Sequence, residues 1–265
     1  MKKITSRQNS FIKYLASLQK KSSLRKKEGK FVIEGKREIR LAHKAGYEID
    51  SILYNPEIIK YEQIQKLFGS RRYEGEVIEI SQEVYEKLAY RDSTEGIIAL
   101  ARSRNHDLNS IKLTANPLIL IAENIEKPGN IGAMIRTADA AGIDAFILAN
   151  TITDIYNPNI IRSSLGGVFT VPIGIGNSEE VLAWIKEKNI RLFSATLQDS
   201  VPYYEIDMTL PTAIAVGSEA QGLSQPFRQQ AEKNILIPMR GELDSLNVSV
   251  SAAILVFEAV RQRYK

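Results

Sequence analysis

This chain is expected to be an α/β protein of two domains, a smaller one followed by a larger one built on a mostly parallel sheet. Short apolar runs alternate with amphipathic helical patterns along its 265 residues. The polar, turn-rich stretch SRNHDLNSIKLTANP at 103–117 divides that alternation into two series, giving domains at 1–105 and 117–265 with a linker at 106–116. Charge divides at the same place. Residues 1–105 hold 22 Lys and Arg against 14 Asp and Glu, whereas residues 106–265 hold 13 against 17.

The first series opens with SRQNSFIKYLASLQ, where Phe11, Tyr14, Leu15 and Leu18 fall at i, i+3, i+4 and i+7, an amphipathic helix capped by Ser6. KKSSLRKKEGK reads as a basic loop. Strands at KFVIEG, SILYN, EVIEI and EGIIALAR alternate with helices at KREIRLAHKAG, IIKYEQIQKLFG and QEVYEKLAY. In the second series, PLILIAE leads to the helix NIGAMIRTADAAG, then the strand AFILAN, the helix NPNIIRSSLG and the strand TVPIGIG. The helix SEEVLAWIKEKN, the strand RLFSATL, the strand within TAIAVGSEAQGLS, the strand NILIPM and a last helix follow. Strands this continuously apolar belong to a parallel sheet covered on both faces. Ligands of such sheets collect beyond the strand C-termini, so every strand exit in residues 117–247 is a candidate site lining.

Composition narrows the function. No apolar run approaches the ~18 residues of a membrane span, and the opening MKKITSRQNS lacks the apolar core of a signal peptide. The absence of cysteine removes disulfides and thiolate metal sites and suits a reducing cytoplasm. His43 and His106 are the only histidines, so no metal site is recognisable. GIGNSEE fails as a dinucleotide fingerprint because Glu179 stands at its sixth position, and neither a P-loop nor a nucleophile elbow occurs. The basic N-terminal part points to a polyanion, most often nucleic acid, with Lys20, Lys21, Arg25, Lys26 and Lys27 as candidate phosphate contacts.

Three junctions carry unusual chemistry. ENIEKPGNIGAMIRTADAAG places Pro128, Gly129 and Asn130 where strand turns to helix, and Arg136 one to two turns later on an otherwise apolar helix. Small residues there admit a ligand or a second backbone. In AVGSEAQGLS a buried strand exits at Gly217 and delivers Ser218 and Glu219. In DSLNVSVSAAI the last helix is expected to open on Ser245, Leu246 and Asn247, a polar start for a helix that then buries its face.

These three stretches, in this order over residues 117–265, resemble the motifs of the SpoU (TrmH-type) RNA 2′-O-ribose methyltransferases of the SPOUT superfamily. SRQNSFIKYLASL, KFVIEGKREI and TEGIIAL are similar to the L30e-like RNA-binding domain that precedes such catalytic domains, and DSLNVSVSAAILVFEAVRQR is similar to the ribosomal-RNA and antibiotic-resistance branch. Ala252 and Ala253 in place of an Ala-Gly pair, and Gln221 in the second motif, are the departures.

The resemblance implies a SPOUT domain with a trefoil knot, a homodimer, and S-adenosylmethionine as cofactor, seated by Thr196, Leu197, Gly217, Ile237 and Leu246. It implies methyl transfer to a ribose 2′-hydroxyl, with ribosomal RNA favoured. Transfer RNA, or an inactive RNA-binding protein of the same fold, are the alternatives. Arg136, Asn130, Glu219, Ser245 and Asn247 are the implied catalytic set. The family assigns the general base to the arginine, but a guanidinium stays charged in proteins. Clamping the target phosphate and stabilising the alkoxide suits Arg136 better, and both roles stay open.

Overall fold

Two sheets organise the chain, whose computed structural model describes residues 2–69, 73–89 and 95–264. Tyr90 of the QEVYEKLAY pattern and Thr94 of TEGIIAL lie outside the described residues. The first sheet has the order β1-β4-β3-β5-β2, with β1 (Lys2–Ile4), β2 (Lys30–Glu34), β3 (Ile49–Tyr54), β4 (Glu76–Ile80) and β5 (Ile97–Arg102). β5 runs antiparallel to both neighbours, while β1, β4 and β3 are parallel. Helices α1 (Ser10–Lys20), α2 (Ser22–Glu28), α3 (Lys36–Lys44), α4 (Tyr61–Leu67) and α5 (Gln82–Leu88) connect them. β1 was not expected: three residues are too few to show a period, and pairing with β4 creates it.

Two local expectations change. α1 is capped by Asn9, whose side chain accepts the Phe11 N–H at 2.9 Å, whereas Ser6 only holds the Gln8 N–H ahead of the helix. The face buried with Leu53, Ile78 and Val84 is Ile12, Leu15 and Leu18, leaving Phe11 and Tyr14 at its margin. The basic stretch forms α2 rather than a loop. Gly29 ends it at φ 61°, a conformation open to glycine, and its last turn carries Arg25, Lys26 and Lys27, where cations offset the helix dipole.

The second sheet is wholly parallel, in the order β10-β12-β9-β11-β6-β7-β8. Its strands are β6 (Leu118–Glu123), β7 (Ala145–Ala149), β8 (Ile173–Gly176), β9 (Arg191–Ala195), β10 (Ser200–Pro202), β11 (Thr212–Val216) and β12 (Lys233–Leu236). α6 (Pro128–Ala141), α7 (Pro158–Ser163), α8 (Ser178–Glu187), α9 (Gln225–Gln230) and α10 (Val248–Arg263) complete the chain. β6, β7 and β11 are buried throughout, as double-sided coverage requires. α10 packs along α6 and buries Ala252 and Val256 within its own fold. Those residues are core, and the exposed apolar positions of α10 are Val250 and Phe257. No helix among the described residues is long and apolar enough to cross a membrane.

Contacts divide the chain into two units in an unexpected way. One unit holds the residues up to Asn105 together with Asp154–Thr170; the other holds His106–Thr153 and Val171–Lys265. Within the first unit the Phe31 ring stacks on Tyr156 at 4.1 Å, and Phe169 meets Tyr47 edge-on at 5.1 Å. The Arg104 N–H donates to the Tyr156 hydroxyl at 3.0 Å. In the second unit, Leu108 enters the core and the Ile175 N–H donates to the His106 carbonyl at 2.8 Å. The stretch 106–116 thus meets β8 through the His106 carbonyl, and Leu108, Ile111 and Leu113 pack on the core of this unit.

Arg25 also departs from expectation. It is buried, with Nε donating to Asp154 Oδ2 at 2.5 Å and a terminal nitrogen donating to the carbonyls of Leu18 and Gln19 at 2.6 and 3.1 Å. Its charge is satisfied inside the unit and leaves no face for phosphate, whereas Lys20, Lys21, Lys26 and Lys27 are exposed. Removing one partner of a buried ion pair strands the other. Arg25→Ala is therefore expected to lower stability by about 3–5 kcal/mol, and Lys26→Ala by no more than about 0.5 kcal/mol, as read by chemical denaturation.

Candidate active site at the ends of the parallel strands

Parallel strands end on one edge, so the loops after β9, β11 and β12 converge. They enclose a cavity of about 350 Å³ backed by Val216, Ile235 and Leu255. Thr196 and Leu197 follow β9, Gly217 follows β11, Ile237 follows β12, and Leu246 leads into α10; all five line the cavity. Leu197 and Leu246 keep 64 % and 37 % of their surface exposed, an apolar pair without a full protein partner. Gln221, Met239, Asp244 and Ser251 also line it and were not expected.

The loop after β11 folds back on itself. The Gly222 N–H donates to the Ser218 carbonyl at 2.8 Å, with Gly222 at φ 66°. A Cβ on Gly217 would lie 2.1 Å from the Gly222 carbonyl carbon and 2.3 Å from the Leu223 nitrogen. Glycine is required there by the loop's own backbone, before any ligand is considered.

A polar cluster borders the cavity. Asn247 caps α10: its Oδ1 accepts the Ser249 N–H at 3.0 Å, which fixes the amide so that Nδ2 faces the other way. That Nδ2 donates to Glu219 Oε1 at 2.8 Å and to Asn130 Oδ1 at 3.2 Å. Asn130, in the first turn of α6, donates from Nδ2 to Glu219 Oε1 at 3.2 Å. Lys127 forms a salt bridge with Glu219 Oε2. Lys127 above all holds the Glu219 carboxyl below its ordinary range; burial, the next largest effect, opposes it, and Asn130 adds to the lowering.

Ser245 lines the cavity but precedes the helix, which begins at Val248; its hydroxyl donates to Asp244 at 3.3 Å. Arg136 stands apart from the cluster. It follows Asn130 by six residues, a rise of roughly 9 Å with most of two turns of rotation, and is exposed, with no hydrogen bond or ion pair among the described residues. Lys127 was missed because a lysine before a proline carries no signal until the fold brings residue 219 beside it. Among the described residues no cluster of three His, Asp or Glu is placed to hold a metal ion.

A SpoU rRNA methylase family model matches residues 117–257, more than half of the chain, and an MRM3-like substrate binding domain model matches residues 9–99. The chain belongs to the SpoU rRNA methylase family. Its relatives include the 23S rRNA (guanosine(2553)-2′-O)-methyltransferase RlmP of Bacillus subtilis, 30 % identical over 97 % of this chain and 98 % of that protein. The 23S rRNA (uridine(2479)-2′-O)-methyltransferase of Streptomyces viridochromogenes is 30 % identical over 99 % of this chain and 93 % of its own. Among solved structures, the AdoMet-bound rRNA methyltransferase of Sinorhizobium meliloti has a TM-score of 0.90 at 29 % identity, covering 100 % of this chain and 99 % of that one. An RNA 2′-O ribose methyltransferase structure has a TM-score of 0.85 at 41 % identity, over 98 % of this chain and 99 % of that one. The polar cluster of this SpoU-family chain joins residues from all three of its motifs.

Two outcomes follow from the loop and the cluster. Gly217→Ala should cost about 1–3 kcal/mol as an overpacked site and shift the amide resonances of residues 218–223. Lys127→Ala should raise the Glu219 pKa toward its ordinary value, measured by carboxyl NMR titration. The sign follows from the depressed folded-state pKa: whatever stability the carboxylate contributes is present above the unfolded pKa and is lost as pH falls through the folded one.

Proposed function

We propose that this protein transfers a methyl group from S-adenosylmethionine to a ribose 2′-oxygen of ribosomal RNA, in the cytoplasm. The observation that carries this reading is the cavity at the strand exits, bordered by Asn130, Glu219 and Asn247, in a chain of the SpoU family. Relatives aligned over nearly the whole chain are named as 23S rRNA 2′-O-methyltransferases, which favours ribosomal over transfer RNA.

The lining suits the cofactor. Leu197 and Leu246 offer apolar surface to a planar base, the backbone at Gly217 and Ile237 offers hydrogen-bonding groups, and the carboxylates of Glu219 and Asp244 suit a nearby cation. Bound there, S-adenosylmethionine supplies an electrophilic methyl on a positively charged sulfur. The chain must position the 2′-hydroxyl and stabilise negative charge on its oxygen as its proton passes to water. Asn130, Ser245 and Asn247 are placed to orient the ribose, and Glu219 to hold both asparagine amides. Arg136 is the cation assigned to the target phosphate and the developing alkoxide, since a guanidinium is a poor base.

Lys20, Lys21, Lys26 and Lys27 are assigned to RNA phosphates. A homodimer belongs to the same reading. Val250 and Phe257, each 46 % exposed, lie seven residues apart on α10 and form an apolar stripe suited to a second copy.

Arg136→Ala should slow methyl transfer by roughly 10²–10³-fold, by comparison with lost oxyanion donors, while most RNA affinity survives. Radiolabelled transfer to ribosomal RNA measures the first and filter binding the second; unchanged turnover would remove Arg136 from the chemistry. Neutralising the four lysines together should flatten the salt dependence of RNA binding by about 0.7–0.9 slope units per lost phosphate contact and leave cofactor affinity unchanged. Activity should also survive chelators.

A further inference from the structure

Glu123, the last residue of β6, is fully buried and has no part in the chemistry above. A carboxylate removed from water needs donors, and this one has three. Oε2 accepts the Ser224 N–H at 2.7 Å, and Oε1 accepts the hydroxyls of Ser224 at 2.7 Å and Ser178 at 2.5 Å. The Ser178 oxygen itself accepts from Asn150 Nδ2 at 2.7 Å, and Asn150 Oδ1 accepts the Ser178 N–H at 3.0 Å. The Ser178 proton is thereby directed at Glu123.

The placement matters because of what Ser224 terminates. β11 pairs with β6, Val216 opposite Ala122, so the chain leaves the sheet at Gly217 beside Glu123 and returns to it at Ser224. Between these points lie the cavity wall at Gly217, Ser218, Gln221 and Gly222, and the rim carboxylate of Glu219. One end of the loop is held by the strand ladder and the other by Glu123. An apolar side chain could fill the same volume at little cost in stability, but it could not hold a backbone N–H and two hydroxyls in one geometry. Glutamine would face them with an amide nitrogen in place of one acceptor.

We propose that Glu123 is a positioning residue, acting through Ser224, that sets the return of the 217–224 loop and so the seat of Glu219 and the cofactor wall. This rests on the assignment of the cavity to S-adenosylmethionine. A merely structural carboxylate would hold Ser178 and Ser224 to equal effect, since each hydroxyl donates to the same oxygen. A positioning one would not, because only Ser224 belongs to the loop.

The test is calorimetric titration of S-adenosylmethionine into the full-length wild type, Glu123→Gln, Ser224→Ala, Ser178→Ala and the Glu123→Gln/Ser224→Ala double variant, with thermal melts of each. Glu123→Gln and Ser224→Ala should weaken binding by about tenfold, the scale of one lost hydrogen bond to a charged group. The double variant should be within about twofold of Glu123→Gln, as residues acting through one contact are not additive. Ser178→Ala should lower Tm as Ser224→Ala does, yet bind within about twofold of wild type. Wild-type affinity in Glu123→Gln, additive losses in the double variant, or equal affinity losses in the two serine variants would overturn the proposal. If Glu123→Gln does not fold, the serine pair decides by the same comparison. A wild-type chain that binds no S-adenosylmethionine overturns the assignment of the cavity itself, and this inference with it.

Discussion

A parallel strand can use the ladder of its neighbours only as far as its last residue. Beyond that point each backbone N–H and C=O must find another partner or meet water. In the seven-stranded sheet this happens on one edge, where β6, β9, β11 and β12 all stop. The chain meets the demand with local closures. The Gly222 N–H returns to the Ser218 carbonyl, and the Thr196 N–H continues to the Ile235 carbonyl at 3.0 Å. The cavity lies between these closures, backed by the side chains of Val216, Ile235 and Leu255. The polar cluster stands at its rim.

At that rim each group has two tasks. Asn247 accepts the otherwise unpaired Ser249 N–H of α10's first turn with its oxygen and faces Glu219 with its nitrogen. Were the cap lost, the amide would be free to turn and its donor would leave the cluster. Glu219 in turn receives Asn130, Asn247 and Lys127, so one carboxylate gathers the starts of α6 and α10 with the loop after β11. Helix geometry and site geometry are thus the same hydrogen bonds seen from two sides. Arg136 has no hydrogen bond or ion pair to this cluster, and its guanidinium has no side-chain partner among the described residues.

The N-terminal unit shows how burial divides residues of like charge. Arg25 and Lys26 are adjacent on α2, yet one is an internal anchor and the other faces solvent. A planar guanidinium can satisfy a carboxylate and two carbonyls at once, so it tolerates burial where an ammonium on a flexible stem does not. The anchor it grips, Asp154, lies between β7 and β8 in sequence, and the aromatic rings of Tyr156 and Phe169 follow it into the same unit.

The residue pattern alone was enough for the α/β class, the parallel sheet and the three junctions, while the five residues that line the cavity were implied only by the family resemblance. These are local properties: an apolar run between helical periods, a glycine at a strand exit, and motif residues whose spacing follows from the elements that bear them. Short pieces escaped it. β1 and β10 span three residues each and α9 six, too short to repeat a pattern, and exist because a neighbour pairs with or packs on them. The burial of Arg25, the Lys127–Glu219 pair and the Glu123–Ser224 contact escaped it as well. Each joins residues about a hundred or more positions apart, and charge, unlike hydrophobicity, has no period that reveals its partner. Folding brings the groups together, and only their distance then separates a solvated lysine from a buried arginine, or an idle carboxylate from one that holds a loop.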